Sequence, residues 1–315
     1  MHLLARLAQL IVRLVVVVLV VTFVTFGMTA FLPGDPIDQL YPIGTEEQKE
    51  VVRDEVGLND PFFVQYVNWL GGFVTGDFGK YYDTNISVND EVKEALPVSL
   101  QLMGYSVALT LLIAVPLGVF AAYKQGSLFD RGANATAFGF LALPNFVLGL
   151  ILASWIGAQW QILPTQGYVP FGEDPAEHFR FMTLPVIAIA ASQIAVYMRL
   201  LRSDMIATLQ EDFVTTAKAK GISPRRVLFR HALRPSSLTL LTVAGLNIGT
   251  LISGLIVIEV IFGLPGMGSL VAFSIFANQY VALQSLVAII AVAYVVLNSI
   301  IDLLYTVVDP RIRRA

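Results

Sequence analysis

Six long apolar segments determine what this chain of 315 residues can fold into. Each is about 20 residues long or more, which matches the thickness of a bilayer's hydrocarbon core. A segment in lipid must satisfy its own backbone polar groups, and a helix does so. Charged residues make up only 14% of the chain, against roughly 25% in soluble domains. The sequence therefore predicts an all-α polytopic membrane protein with six transmembrane helices. The segments are residues 10–32, 98–123, 133–160, 181–201, 238–262 and 281–307.

The first apolar segment follows Arg6 and Arg13, an arrangement that a secretory signal peptide shares. Its uninterrupted run, residues 14–32, is longer than the apolar region of a signal peptide, which has about 7–15 residues. No clear cleavage site of small residues follows it. The segment is therefore predicted to be a retained transmembrane helix, with cleavage as the alternative.

The distribution of Lys and Arg predicts the orientation, because cytoplasmic loops carry an excess of them. With six spans, 15 of the 20 basic residues fall on the side that holds both termini and the loop 202–235. The opposite side holds the segment 33–95, with 13 acidic and 4 basic residues. Both termini and the loop 202–235 are thus predicted to be cytoplasmic.

The predicted organisation is a first helix (1–32), an extracytoplasmic segment (33–96), a transmembrane domain of five helices (97–309) and a short tail (310–315). In the outer segment, residues 45–48 (TEEQ) fit a capping box that begins a helix, and Gly57 suits its end. The aromatic-rich residues 61–73 predict a second helix. It either lies in the headgroup layer or packs as a small cap on the outer face.

Sites for catalysis, nucleotides and metals are missing from the sequence. The nearest approach to a phosphate-binding loop, residues 76–80, has the wrong spacing for one. The three histidines are scattered and there is no cysteine. The chain is therefore predicted to be no enzyme and to bind neither metal nor cofactor, so its energy must come from a partner or an ion gradient.

Two carboxylates lie within the apolar segments, Glu259 in the fifth and Asp302 in the sixth. In an ion-coupled secondary transporter or channel, such a group lines the pathway. The alternative is that both lie near the membrane surfaces and bond to neighbouring helices. Arg199 and Arg202, at the inner end of the fourth segment, are predicted to reach the headgroups.

The stretch 212–235 concentrates six basic residues, yet its local pattern says more than its charge. Asp212 suits the start of a short helix over 213–220, and Gly221 suits its end. Ser223 and Pro224 then suit the N-cap and first turn of a second helix, 225–233, which Pro235 is predicted to stop. Small residues around the turn favour a surface that docks on another protein. The alternative is a solvated loop that fixes topology and binds anionic lipid.

The stretch DFVTTAKAKG (212–221) resembles the coupling loop, or EAA loop, of permease subunits of ATP-binding-cassette importers. Thr216, Ala217 and Gly221 take the second, third and seventh positions of that motif, and Thr215 replaces its glutamate. The peptide-importer branch carries the similar DYVRTARAKG. The likeness continues through most of the chain, in the same order as in DppB/OppB-type permeases of dipeptide, oligopeptide and nickel importers. The stretches are PGDP, VGLNDPFFVQYVNWL, GDFGKYY, ALPVSLQL, ALPNFVLGL, VYMRLLRSDM, IEVIFGLPGMGSL and NSIIDLLYTVVDPRIR.

This resemblance implies a type I importer permease fold that works by alternating access. The implied partners are a second homologous permease subunit (DppC/OppC-like), two ATPase subunits that bind the ATP, an extracytoplasmic solute-binding protein and the lipid bilayer, with no nucleic acid. The substrate stays open among dipeptides, oligopeptides, nickel chelates and sugars. One departure concerns Thr239, where the family usually has a proline, while Pro235 precedes it by four residues. The fifth helix is therefore expected to bend at a different point.

The resemblance also implies two sets of functional residues. The first set couples the permease to the ATPase: Asp212, Phe213, Thr215, Thr216, Ala217, Lys218, Ala219, Lys220, Gly221, Ser223 and Pro224. The second set forms a gate or outer mouth, or merely turns the chain toward a short re-entrant helix over 269–276: Glu259, Gly263, Pro265, Gly266 and Gly268.

Overall fold

The computed structural model describes residues 2–30, 36–41, 43–55 and 57–308, where the regular structure is helical apart from one isolated β-bridge, Lys80 to Ser87. The all-α prediction is confirmed. The helices are α1 (His2–Ala30), α2 (Pro36–Leu40), α3 (Glu46–Glu55), α4 (Phe62–Thr75), α5 (Val88–Tyr123), α6 (Leu128–Ala142), α7 (Asn145–Leu152), α8 (Pro175–Leu209), α9 (Asp212–Ala219), α10 (Pro224–Arg226), α11 (Leu233–Leu246), α12 (Ile248–Phe262), α13 (Met267–Phe276) and α14 (Tyr280–Val308). Two π-helical segments, Ala153–Gln159 and Val227–Ala232, follow α7 and α10.

Some sequence predictions fall outside the described residues. They are the end of the first segment and most of the PGDP motif (31–35), the C-terminal tail (310–315) and the side chain of Asp302.

Four of the described helices, α1, α5, α8 and α14, are long and apolar enough to cross a membrane. The number reaches six if each of two bent helix pairs counts as one span. The predicted third segment is wrong as one continuous helix, because α6 and the helix that begins with α7 meet at a bend of 96°. Pro144 causes the break, since a proline disfavours the helical conformation of the residue before it. Leu143 is accordingly extended, with ψ 123°.

The predicted fifth segment, 238–262, has a milder irregularity at Asn247, between α11 and α12, where the Asn247 amide still donates to the Val243 carbonyl at 3.0 Å. An Asn side chain competes for nearby backbone groups and so weakens a helix interior. By contrast, the short helix predicted over 269–276 is present as α13, which begins two residues earlier than expected.

The chain divides into two compact units, the first of which combines Met1–Ser99 with Pro265–Ser299. In this unit an aromatic cluster packs α4 against α1. The ring centroid of Phe26 lies 5.1 Å from that of Phe62 and 5.4 Å from that of Tyr66. The Tyr66 hydroxyl lies 3.0 Å from that of Thr22. This packing fixes α4 to α1, while Phe63 and Val67 on the other face of α4 stay exposed.

The predicted capping box begins α3 as expected. The Thr45 amide donates to Gln48 Oε1 at 3.0 Å, and the Gln48 amide donates to Thr45 Oγ1 at 3.3 Å. Gly57 follows the helix with a φ of +71°, which confirms its predicted place after the last turn.

The second unit combines Leu100–Leu264 with Ile300–Ala315, and its core forms around α8. Buried side chains from α5, α6, α8, the second π segment and α11 meet there. The inner half of α8 is thereby fixed on several sides, and α9 follows it after two residues. The core residues are Ala114, Val119, Ala122, Ala137, Ala195, Tyr197, Met198, Leu201, Met205, Leu228, Ala232 and Leu240.

Candidate functional site

The predicted coupling helix is present as α9, and Gly221 follows it in the left-handed region with a φ of +72°. The Gly221 amide donates to the carbonyl of Lys218 at 2.9 Å, and the Ile222 amide donates to that of Ala217 at 3.2 Å. These two bonds form a Schellman motif, which satisfies the last carbonyls of a helix. A residue with a Cβ is strained at this φ, so the sequence has glycine where the backbone requires it.

The next helix begins where the sequence predicts. Ser223 is extended at its N-cap position and Pro224 takes the first helical position. The Ser223 side chain makes no capping hydrogen bond. Asp212 lies in the first turn of α9, at the start of the helix as predicted, while Glu211 occupies the N-cap. There its negative charge still favours the helix dipole.

The two faces of α9 differ in burial. Val214 and Ala217 point into the chain, and Ala217 is only 6% exposed. The predicted docking ridge is therefore wrong at Ala217, because that side chain is covered by its own chain. The α9 surface, as the exposed face is called below, consists of Phe213, Thr215, Thr216, Lys218, Ala219, Lys220 and Gly221.

The helix after the turn does not end at Pro235, so that prediction is wrong. The chain is helical from Pro224 through the π segment Val227–Ala232 and on into α11, which contains Pro235. In an α-helix, the ring of Pro235 would clash with the carbonyl four residues earlier, at His231. His231 belongs to the π segment, whose hydrogen bonds reach five residues back and widen the turn. Where the sequence predicts that the fifth helix bends at a different point, the structure has a π-helical irregularity just before Pro235.

A buried ion pair anchors α8 a few residues before α9. Arg202 donates to both carboxylate oxygens of Asp130 in α6, with Nη2 2.7 Å from Oδ2. Asp130 is 3% exposed and also accepts from the Gly126 amide at 2.8 Å. The predicted reach of Arg202 toward the headgroups is wrong, because the chain supplies its own carboxylate partner.

Sequence reasoning missed this ion pair. The two residues are 72 positions apart, and a bond between two helices leaves no local pattern to read. Arg199, one turn before Arg202, has its guanidinium carbon 4.0 Å from the centroid of the Phe138 ring, a cation–π contact. Both basic residues at this end of α8 are therefore held against α6.

The predicted gate residues lie within ten positions of one another in the chain but belong to two units. Glu259 and Gly263 lie in the second unit, where Glu259 is fully buried and its carbonyl accepts from the Leu264 amide at 2.9 Å. Pro265, Gly266 and Gly268 lie in the first unit, around the start of α13. At this start, the Met267 amide donates to Ser99 Oγ at 2.8 Å.

No group of three or more His, Asp or Glu side chains within the described ranges is placed to hold a metal ion.

Comparison with known proteins gives one consistent result. The family model described as binding-protein-dependent transport system inner membrane component matches residues 114–314. The model for the N-terminal part of such membrane components matches residues 3–103. Together the two models cover most of the chain.

Curated relatives match over almost their whole length. The chain is 38% identical to an oligopeptide transport system permease protein of Bacillus subtilis, over 89% of this chain and 90% of the relative. It is 35% identical to a probable peptide ABC transporter permease of Sinorhizobium fredii, over 91% and 92%. It is 32% identical to a dipeptide transport system permease of Escherichia coli, over 92% and 93%.

Proposed function

Since this chain belongs to the family of binding-protein-dependent transport system inner membrane components, we propose that it passes peptides inward by alternating access and receives the driving motion at the α9 surface. The chain is a DppB/OppB-type permease subunit and a multi-pass protein of the plasma membrane. Its family is one of transport subunits and not of enzymes. What is proposed is therefore the substrate, the partners and the place where they act.

The observation that carries the proposal is the construction of α9. Val214 and Ala217 fix one face of the helix to the chain, and the Gly221 turn closes its end. The opposite face stays exposed, with Phe213 48% accessible to solvent. A short helix that is rigidly held and exposed on one side transmits a push from another protein without bending. The Arg202–Asp130 pair extends that rigidity to α6.

The proposed partners follow from the same family. Two ATPase subunits bind the ATP and dock on the α9 surface and its equivalent in a second, homologous permease subunit. An extracytoplasmic binding protein delivers the solute to the outer face. Peptides are the proposed substrate because the relatives are named as peptide, oligopeptide and dipeptide permeases. The gate set remains part of the proposal, with Glu259, Gly263, Pro265, Gly266 and Gly268 at the outer mouth.

The rival function is an ion-coupled transporter or channel that uses Glu259 or Asp302. The complete burial of Glu259 in α12 is the observation in its favour. A buried carboxylate in a spanning helix is a common feature of ion pathways. The energy source of uptake separates the two functions.

The test places a carboxylate in the α9 surface. Ala219→Glu puts a charge into the proposed contact with the ATPase, and an unpaired charge in an interface costs several kcal/mol. We expect peptide uptake by the reconstituted transporter, and its peptide-stimulated ATP hydrolysis, to fall by about thirtyfold or more. Ala207→Glu is the matched control, since Ala207 is also exposed and helical but lies in α8.

Both variants should insert and assemble as the parent does, which size-exclusion chromatography of the complex verifies. Uptake that survives Ala219→Glu would contradict docking at α9. Uptake that ignores ATP but collapses with a proton ionophore would instead support the rival function.

A further inference from the structure

A groove on the second unit has apolar walls and two cationic side chains, and the proposed transport function uses neither. Its volume is about 480 Å³. Val115 of α5 and Leu233 and Leu240 of α11 contribute apolar walls, and Phe229 of the π segment borders it. Leu240 belongs to the buried core, and Val115 and Leu233 pack against it. The groove is therefore a feature of the rigid part of the unit.

The cationic side chains are Arg230 and Arg234, which line the same groove. Both residues are exposed, and no Asp or Glu within the described ranges lies within 4.0 Å of either guanidinium. This contrasts with Arg202, whose charge is neutralised by Asp130 inside the chain. The groove thus offers two uncompensated positive charges beside an apolar channel.

The position of the groove along the helices indicates what occupies it. Val115 lies about two turns before the end of α5 at Tyr123, or about 12 Å along the helix axis. The arginines lie near the N-terminal end of α11, on the side predicted to be cytoplasmic. An occupant must therefore place an anion near the membrane surface and an apolar chain at the depth of the hydrocarbon. A phospholipid has this construction, and the cytoplasmic leaflet is the anionic one.

We propose that this groove binds one anionic phospholipid of the cytoplasmic leaflet. Its phosphate lies between Arg230 and Arg234, and an acyl chain lies along Val115, Leu233 and Leu240. None of the residues that line the groove belongs to the α9 surface. Phe229, whose side chain is 46% exposed, covers the acyl chain of the lipid near the headgroup. The irregular backbone of the π segment places Phe229 and Arg230 on the groove.

The first test measures lipid retention by native mass spectrometry of the assembled transporter, purified from vesicles of phosphatidylglycerol and phosphatidylcholine. Each cationic side chain near an anionic surface contributes about fivefold in binding. We expect the double variant Arg230→Gln, Arg234→Gln to retain about 25-fold less phosphatidylglycerol. The control, Lys124→Gln with Arg131→Gln, removes two exposed charges from the same side of the protein and should retain it as the parent does. Equal retention in both double variants would overturn the proposal.

Three further experiments identify the occupant. Val115→Phe narrows the apolar part of the groove, so it should lower the retention of phosphatidylglycerol while both arginines remain. Inorganic phosphate alone should not displace the bound lipid, and displacement would mean that the arginines bind a free anion. The chain has no cysteine, so Phe229→Cys carries a thiol-specific photo-cross-linker at one place. Cross-linking to lipid supports the proposal, and cross-linking to another subunit contradicts it.

Discussion

Helices α3 and α9 are built alike but differ in how their surfaces are satisfied. Both are short, and each ends at a glycine with nearly the same φ, +71° at Gly57 and +72° at Gly221. Each is closed by the same kind of backbone bond, from Leu58 to Arg53 at 2.9 Å and from Ile222 to Ala217 at 3.2 Å. The local rules of helix formation are therefore the same in both places.

The side chains of the two helices behave differently. On α3, the basic residues Lys49 and Arg53 both bind Asp38, at 3.0 and 2.9 Å, and a capping box closes the start. On α9 there is no side-chain cap, and Lys218 and Lys220 have no carboxylate within 4.0 Å in the described part of the chain. A helix that satisfies its charges within its own chain is complete alone. One that leaves charge and an aromatic ring exposed has a surface suited to another molecule.

The largest expected difference in stability comes from two ion pairs, Arg202–Asp130 just before α9 and Lys49–Asp38 on α3. Arg202→Met leaves Asp130 buried without its partner, and breaking a buried pair costs about 3 kcal/mol. Lys49→Met removes one of two cationic partners of the exposed Asp38 and should cost far less stability, because a pair with a solvent-exposed member contributes little and Arg53 remains bound to it. Thermal unfolding of the two variants in detergent measures the difference. Equal losses would mean that the Arg202–Asp130 pair does not anchor α8.

A smaller effect is expected when either Gly57 or Gly221 alone is replaced by alanine. A left-handed residue with a Cβ costs about 1–2 kcal/mol, so Gly221→Ala and Gly57→Ala should lose similar stability. Only Gly221→Ala should reduce peptide-stimulated ATP hydrolysis, because only that turn belongs to the proposed coupling contact. The ratio of hydrolysis with and without peptide is the readout. A matching reduction in Gly57→Ala would show that strain in a helix end, wherever it lies, is enough to impair transport.

The smallest effect is a titration that belongs to the α3 region. The hydrogen bond from Lys49 holds the pKa of Asp38 below its ordinary value. A carboxylate with a lowered pKa stabilises the folded state above the pKa of the unfolded chain, and that contribution disappears as the pH falls below about 4. In Lys49→Met, the pKa of Asp38 should rise, and a carbon-13 NMR titration of its carboxyl group measures this. An unchanged titration would mean that Arg53 alone determines this pKa.

Local patterns predicted the short elements well. The capping box at 45–48 and the glycine turns at 57 and 221 express interactions among residues a few positions apart, and Ser223 and Pro224 express local backbone preferences. Such interactions are readable without a partner segment. Hydropathy predicted the position of the apolar segments but not their continuity. The window over 133–160 remained apolar across Pro144, so segment length outweighed the break that the proline marks.

Contacts between distant segments could not be predicted. Nothing near Asp130 identifies Arg202 as its partner, and the burial of Ala217 depends on which face of α9 meets the chain. The sequence identified Pro235 as a helix stop because a proline excludes the regular α-helical bond. The π segment before it supplies a wider turn, which depends on how α11 and the preceding residues pack.

The π segment Val227–Ala232 also sets the rotation of α9 about the helix axis relative to α11. Each residue of an α-helix advances about 100° around its axis. A π turn encloses one residue more than an α turn, so it is equivalent to one residue inserted in a continuous helix. Removing one residue there would restore regular winding, yet it would rotate the preceding turn and α9 by about 100° relative to α11. The direction in which the α9 surface faces is thus a matter of helical phase, which one insertion or deletion resets.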